Sequence, residues 1–300
     1  DERSMLNRNY RIIREVREGG MAEVLEVEHA RTGMRFAAKV LKAELCDPKH
    51  ISRMEREARV ACSIHHDNVL RVLNFEETSD GRPFLLSHLL EGEDLRDRLG
   101  RGSLSVDESL EITAQAASAL SMVHRAGVIH RDLKPENLFL IDTDDGVQLK
   151  LLDFGIARVD DGVQLTNVGA VMGSPKYMAP EQAMARTSID GRADIYTLGL
   201  ILYEMLVGAP PFDAVKPIAV MKMQVDDPPP KPSERRPDLS VHVERLVLRL
   251  LRKKPEKRPR DMDRLLDALQ ACRRRLGLAP ARVPTTDQRR QRPWPLSLLG

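Results

Sequence analysis

Apolar and polar residues alternate along residues 10–42, interrupted by glycines. Residues 10–16, 24–28 and 35–41 read as strands, with turns at Glu18-Gly19-Gly20 and Arg31-Thr32-Gly33. That spacing predicts an antiparallel meander. Asp47-Pro48 has the chemistry of an N-cap followed by the first helical residue. A helix is expected from there to about Ile64, with Ile51, Met54, Ala58 and Ala61 on one face and the acid Glu57 sharing it. Two more strands are expected at 69–73 and 83–87. From Ser105 the period changes. Ser105-Val106-Asp107-Glu108 reads as a capping box, and Ile112, Ala116, Ala119, Leu120 and Val123 make a helical stripe closed by Gly127. His124, in the last turn, reads as a favourable cap charge. Residues 194–208 are apolar nearly all round, which predicts a buried helix. A Pro-rich loop with one short helix (209–237) and amphipathic helices at 240–252 and 261–272 complete the pattern. The fold class is α+β, with a sheet-rich first part and a mainly helical second part.

Three hundred residues, 42% of them apolar, allow two lobes with separate cores. Net charge is +2, but residues 273–300 alone carry seven Arg against one Asp, which leaves the first 272 residues at −4. A nearly neutral body argues against nucleic acid as a partner. The cysteines Cys46, Cys62 and Cys272 are odd in number and far apart, so neither a disulfide framework nor a zinc site is indicated. That usage fits a reducing, cytoplasmic setting. No apolar run reaches about 18 residues. A chain that begins with Asp1 reads as a piece of a longer protein.

The chemistry concentrates in three places. His130-Arg131-Asp132-Leu133-Lys134-Pro135-Glu136-Asn137 sets an acid, a cation and an amide between a helix and the apolar run Leu138-Phe139-Leu140-Ile141. A polar cluster held between two apolar elements suits a catalytic loop. Asp153, followed by Phe154-Gly155, ends the apolar strand beginning at Leu149, where a carboxylate is placed to reach a cation. Lys39 shares a strand face with Ala37 and Leu41, and an ammonium on an apolar face needs an anionic partner. Glu57 is the natural counter-ion. Glu55 points about 160° away from it on a 3.6-residue helix. The glycine turn, Gly19-Gly20, would let backbone N–H groups approach a phosphate.

These residues, in this order, resemble the protein kinase family, in particular its bacterial Ser/Thr members. His130 to Asn137 is similar to the catalytic loop H-R-D-L-x-x-x-N, Phe36-Ala37-Ala38-Lys39 to V-A-I-K, Asp153-Phe154-Gly155 to D-F-G, and Ala179-Pro180-Glu181 to A-P-E. The glycine loop departs from G-x-G-x-x-G: Arg17 stands at the first glycine and Ala22 at the third, so only Gly19 remains. Arg17 would either narrow the nucleotide site or add a phosphate contact. The resemblance implies a two-lobed protein kinase fold. The small lobe (10–87) is a five-stranded antiparallel sheet with one main helix. The hinge is 88–92, and the larger, mainly helical lobe is 93–272. An N-terminal extension (1–9) precedes the domain. A basic, Pro-containing linker (273–300) follows, suited to a juxtamembrane position or to a plain tail.

The resemblance also implies roles. Lys39, held by Glu57, would position the ATP phosphates. Asp132 would accept or orient the hydroxyl proton, and Lys134 would neutralise γ-phosphate charge. Asn137 and Asp153 would bind Mg2+ or Mn2+. ATP would lie among Val16, Arg17, Gly19, Gly20, Val24, Ala37, Lys39, the gatekeeper Ser87, and the hinge residues His88 and Leu90. Phe154 and Gly155 complete the metal-binding turn, Ser174 packs beneath the substrate, and Arg131 would receive a phosphate on Thr166. Asp194 would hold the catalytic-loop backbone with His130, and Arg258 would pair with Glu181. The expected function is Ser/Thr phosphorylation of proteins, with autophosphorylation, by a cytoplasmic protein or the cytoplasmic part of a membrane-anchored one. A homodimer is compatible with the sequence. The competing class is a catalytically dead kinase fold used as a binding scaffold. A small-molecule phosphotransferase is disfavoured by the complete Ala179-Pro180-Glu181 segment.

Overall fold

The structure, a computed structural model, describes residues 5–153 and 174–284. Strands β1 (Tyr10–Glu18), β2 (Ala22–His29), β3 (Arg35–Leu41), β4 (Val72–Glu77) and β5 (Pro83–His88) form one antiparallel sheet in the order β1-β2-β3-β5-β4. Alternation along β3 divides its side chains between the two faces. Ala38 and Val40 join Tyr10, Leu25, Val27, Phe84 and Leu86 in one core, while Leu41 meets Leu85 and the helix α1 (Pro48–Ser63) in another. α1 starts where Asp47 accepts from the N–H groups of Lys49 (2.9 Å) and His50 (3.0 Å). Its Met54 and Ala58 pack on Leu85, which brings Glu57 beneath the sheet.

The fourth strand lies later than its apolar pattern predicts, at 72–77 rather than 69–73. Val69 is buried with the large-lobe core instead. The backbone around it pairs with Leu151, through Leu70 N–H to Leu151 O (2.9 Å) and Leu151 N–H to Asn68 O (2.7 Å). Residues 72–77 (Val-Leu-Asn-Phe-Glu-Glu) are the less apolar of the two segments, so the apolar run pointed to the stretch that the large core takes.

Beyond β5 come the short strand β6 (Glu93–Asp94), α2 (Leu95–Leu99) and α3 (Val106–Arg125). Next is the hairpin β7 (Leu138–Thr143) with β8 (Gly146–Leu151), then α4 (Pro180–Ala183) and α5 (Arg192–Val207). α6 (Pro217–Asp226), α7 (Pro232–Arg235), α8 (Val241–Leu250) and α9 (Met262–Arg275) follow. The loop 209–237 thus carries the turn α7 besides α6. α5 is buried on nearly every side, and with α3, α8 and α9 it builds one large core. Each large apolar side chain buried there contributes roughly 1.5–3 kcal/mol. Only half of the expected capping box forms. Ser105 Oγ accepts from Glu108 N–H (3.1 Å), but the Glu108 carboxylate turns to Arg98 (2.9 Å), because a guanidinium is the stronger partner.

The expected linker from residue 273 does not leave at once. Arg273 is buried in the last turn of α9, with its guanidinium on Asp107 (2.8 Å) and Glu111 (3.4 Å). Leu276, Leu278, Ala281 and Val283 then pack on the large core. Arg282 N–H donates to Glu111 Oε1 (2.9 Å), and Gln270 exchanges hydrogen bonds with the Ala281 backbone. The physical reason is the buried acid Glu111 on α3, which these two arginines neutralise. Among the described residues no helix is long and apolar enough to cross a membrane.

Candidate active site

The cleft between the lobes collects residues that are far apart in sequence. Lys39 Nζ donates to Asp153 Oδ1 at 2.7 Å and to Glu57 Oε1 at 3.1 Å, so a small-lobe cation joins an acid of its own lobe to one of the large lobe. Burial opposes charge on Lys39, but the two carboxylates outweigh it and hold its pKa above the ordinary lysine value. Burial likewise raises Asp153, yet the Lys39 ammonium dominates and keeps it below the usual carboxylate range. Glu57 moves the other way, pushed up by burial, with the Asp153 charge adding to it. One cation shared between two acids favours the nearer one.

Asn137 and Asp153 are brought together by the β7–β8 hairpin. Leu138 pairs with Leu151, and one step further Leu152 N–H donates to Asn137 O (2.9 Å). Pro135–Asn137 forms a 3-10 turn after Lys134. Asn137 is buried, and among the described residues its Oδ1 has no hydrogen-bond partner. An orphaned amide oxygen beside a carboxylate is a hard-oxygen donor set of the kind Mg2+ or Mn2+ takes.

The catalytic loop is held from beneath. Asp194, in the first turn of α5, accepts from the N–H groups of His130 (Oδ2, 2.9 Å) and Arg131 (Oδ1, 2.9 Å) and pairs with His124 Nε2 (2.7 Å). Arg131 has φ +61°, and its carbonyl accepts from Gln182 Nε2 at 2.7 Å. A non-glycine residue persists in that left-handed region only when its neighbours over-determine it. Here two elements grip the two peptide units that flank Arg131. Asp132 N–H then closes onto His130 O at 2.8 Å. His124 is therefore a partner of Asp194 rather than only a helix-cap charge. Burial lowers the His130 pKa, so that ring is neutral near pH 7.

Glu181 and Arg258 form a buried two-pronged pair (2.6 and 2.8 Å). The guanidinium also reaches the carbonyls of Arg192, Arg252 and Lys253 and lies over the Tyr196 ring. Ser174 begins the 3-10 turn Pro175–Tyr177, which Thr197 and Gln224 hold through backbone carbonyls. Ser87 is buried in β5 opposite Ala37, and the next residue, His88, still pairs with Phe36 within the sheet. Leu90 is half-buried. Gly92 ends the hinge with φ +153°, and a Cβ there would run into the Leu140 carbonyl oxygen. In the glycine turn Gly19 N–H donates to Ala22 O (2.9 Å), Gly20 is open, and Val16 lies exposed at an irregular step of β1. Phe154, Gly155 and Thr166 lie outside the described residues.

Sequence reasoning missed Arg96, which joins Glu136 of the catalytic loop (3.2 Å) to Glu204 of α5 (2.8 Å) and touches the Tyr177 hydroxyl. It also missed Gln182 and Asp94. Their distant partners lie 40 to 108 residues away, where no local pattern reaches.

A sheet lobe hinged to a helical lobe, with a lysine, acids and an amide converging between them, defines a two-lobed protein kinase domain. The protein kinase domain family matches residues 10–270, and the chain belongs to it. It is 39% identical over 285 residues to "Serine/threonine-protein kinase pkn3" of Myxococcus xanthus, covering 91% of this chain and 52% of that one. It is also 39% identical over 246 residues to "Serine/threonine-protein kinase PknB" of Mycobacterium leprae (strain TN), covering 80% of this chain and 39% of the relative. The chain thus spans about half the length, or less, of these relatives. The crystal structure of the Mycobacterium tuberculosis PknI kinase domain superposes with a TM-score of 0.69 at 30% identity, over 90% of this chain and 98% of that one.

Proposed function

We propose that the protein transfers the γ-phosphoryl group of ATP to Ser or Thr hydroxyls of protein substrates. The observation that carries this is Lys39, which spans the cleft to Asp153 while Glu57 holds it from α1. A lysine fixed by two acids is positioned to meet nucleotide phosphates without searching for its rotamer. Asp153 and Asn137 would hold a divalent cation, which supplies charge neutralisation for the phosphates. Asp132, on a loop fixed by Asp194 and Gln182, orients or accepts the proton of the attacking hydroxyl. Lys134 faces the charge that develops in transfer. The segment 174–181, tied down by Thr197, Gln224 and Arg258, is a rigid platform for a peptide. A polypeptide substrate suits it better than a small molecule. We further propose that Thr166 is an autophosphorylation site read by Arg131, and that the segment beyond residue 284 continues toward a membrane on the cytoplasmic side.

Purified protein with labelled ATP and Mg2+ should label itself or a generic basic protein, and Asp132→Asn and Lys39→Ala should each abolish the signal. Equal label in wild type and Asp132→Asn would overturn the assignment. The scaffold reading then gains, and ATP-induced thermal stabilisation without turnover would be its signature.

A further inference from the structure

Arg17 stands where the family loop carries its first glycine, and its side chain has a definite destination. In the sheet Arg17 pairs with Val24, and Val24 pairs with Lys39. Directly opposed residues share a sheet face, so Arg17, Val24 and Lys39 form one row facing the cleft. The two cations are two strands apart, about 10 Å. Each reaches down to an acid of the large lobe. Lys39 meets Asp153, and Arg17 meets Asp94, with Asp97 Oδ2 also within 3.4 Å.

The large-lobe end of this second bridge is rigid. Asp94 pairs with Phe139 across β6–β7, and its Oδ1 caps α2 by accepting from Asp97 N–H (2.9 Å). The residue before β6 is Gly92, packed against Leu140. The Asp94 side chain is 1% exposed, whereas that of Arg17 is 46% exposed. A buried acid fixed on one lobe and a half-exposed cation on the other lobe's hairpin make a contact that can open from one side only, by swinging Arg17 into solvent.

We propose that Arg17, with Asp94 and Asp97, is an inter-lobe clasp that retains nucleotide in the cleft and must open for it to enter or leave. Arg17 is then a positioning residue, acting through the acids rather than on the phosphates. The proposal rests on the nucleotide-cleft assignment above. It predicts a kinetic signature that a direct ligand contact lacks. A gate changes entry and exit in the same direction and leaves the equilibrium constant nearly unmoved. Loss of a phosphate contact raises only the exit rate and weakens affinity.

Stopped-flow binding and release of a fluorescent ADP and a fluorescent ATP analogue decides between these. Arg17→Ala should speed both entry and exit, by about fivefold for a partly exposed ion pair. Arg17→Lys should restore part of the slow rates, and Asp97→Asn should fall between wild type and Arg17→Ala. Added salt should speed exchange in wild type but not in Arg17→Ala. Unchanged rates in Arg17→Ala, with wild type binding normally, would overturn the clasp alone. Faster exit with unchanged entry, and a larger loss for ATP than for ADP, would overturn it in favour of a phosphate contact. Failure of wild type to bind either nucleotide would overturn both the clasp and the kinase assignment. Thermal melts of each variant keep misfolding from passing as a kinetic effect: Arg17→Ala leaves the buried Asp94 without its cation and should melt somewhat lower but still cooperatively, whereas Arg17→Lys should melt as wild type.

Discussion

The catalytic loop and the glycine turn face each other across the same cleft, and they are held in opposite ways. His130 and Arg131 are gripped by Asp194 from α5, Arg131 is gripped again by Gln182, and Asn137 is tied to Leu152. Asp194 is buried in α5, whose apolar residues belong to the large core that α5 shares with α3, α8 and α9. The glycine turn has Gly19 N–H to Ala22 O, a bond from Lys42 N–H to Met21 O (3.2 Å), a Lys42–Glu18 ion pair (2.6 Å), and the Arg17 clasp. Its residues are largely exposed. The loop proposed to orient a proton is thus over-determined, and the turn proposed to cover the nucleotide is tied to the large lobe through the Arg17 side chain. Rigidity sits where chemistry needs a fixed geometry, and looseness sits where a ligand must pass.

The contrast breaks most visibly at Asp194. Asp194→Ala leaves two backbone N–H groups of a left-handed turn without acceptors and strips His124 of its partner. That should cost about 3–5 kcal/mol and lower the melting temperature by roughly 10 °C for a domain of this size, with loss of phosphotransfer. Scanning calorimetry with a kinase assay checks it, and a melt within a degree or two of wild type would mean the loop is held by something else.

Acid should act on the same point more gently. Burial raises the Asp194 carboxyl, but the hydrogen bond and charge of His124, with the charge of His130 and the Arg131 N–H behind them, prevail and hold it below its ordinary value. A depressed acid contributes stability that is fully present above the unfolded pKa of about 4 and is lost as pH falls through the lower folded value. Melting temperature should therefore be insensitive to this group at neutral pH and decline below about pH 4. A titration of melting temperature against pH on wild type and Asp194→Asn should show a shallower acid limb in the variant. Parallel limbs would move the effect to other carboxylates.

The smallest effect belongs to the far side of the large lobe. Arg282→Ala removes one of two arginines neutralising Glu111, while Arg273 remains, so the loss should be about 1 kcal/mol. Urea unfolding measures it. A loss several times larger would show that the 276–284 strap, rather than α9, closes the large lobe.

Much of this molecule was legible along the chain. Lys39 and Glu57 could be paired on paper because each is the odd charge on an apolar face of a regular element, and regular elements have fixed periods. Asp132, Asn137 and Asp153 stood out because chemistry-bearing residues next to apolar strands are rare. The helices that build the large core follow from their stripes. The fourth strand did not: residues 69–73 make the denser apolar run, yet Val69 is drawn into the large core beside Leu151 and the strand begins only at Val72. The linker was placed too early for a related reason: composition cannot reveal that Glu111, buried 162 residues before Arg273, is waiting for a positive charge.

By itself, then, the sequence determined the periods, the caps and the set of reactive groups, since these depend on neighbours a few residues apart. Which acid Lys39 prefers, that Gln182 and Arg96 brace the loop, where the strap packs and which acids Arg17 reaches were decided only by the tertiary structure. Each depends on a distance between residues that share no local pattern, and an ion pair or a buried hydrogen bond forms only when packing has already set that distance.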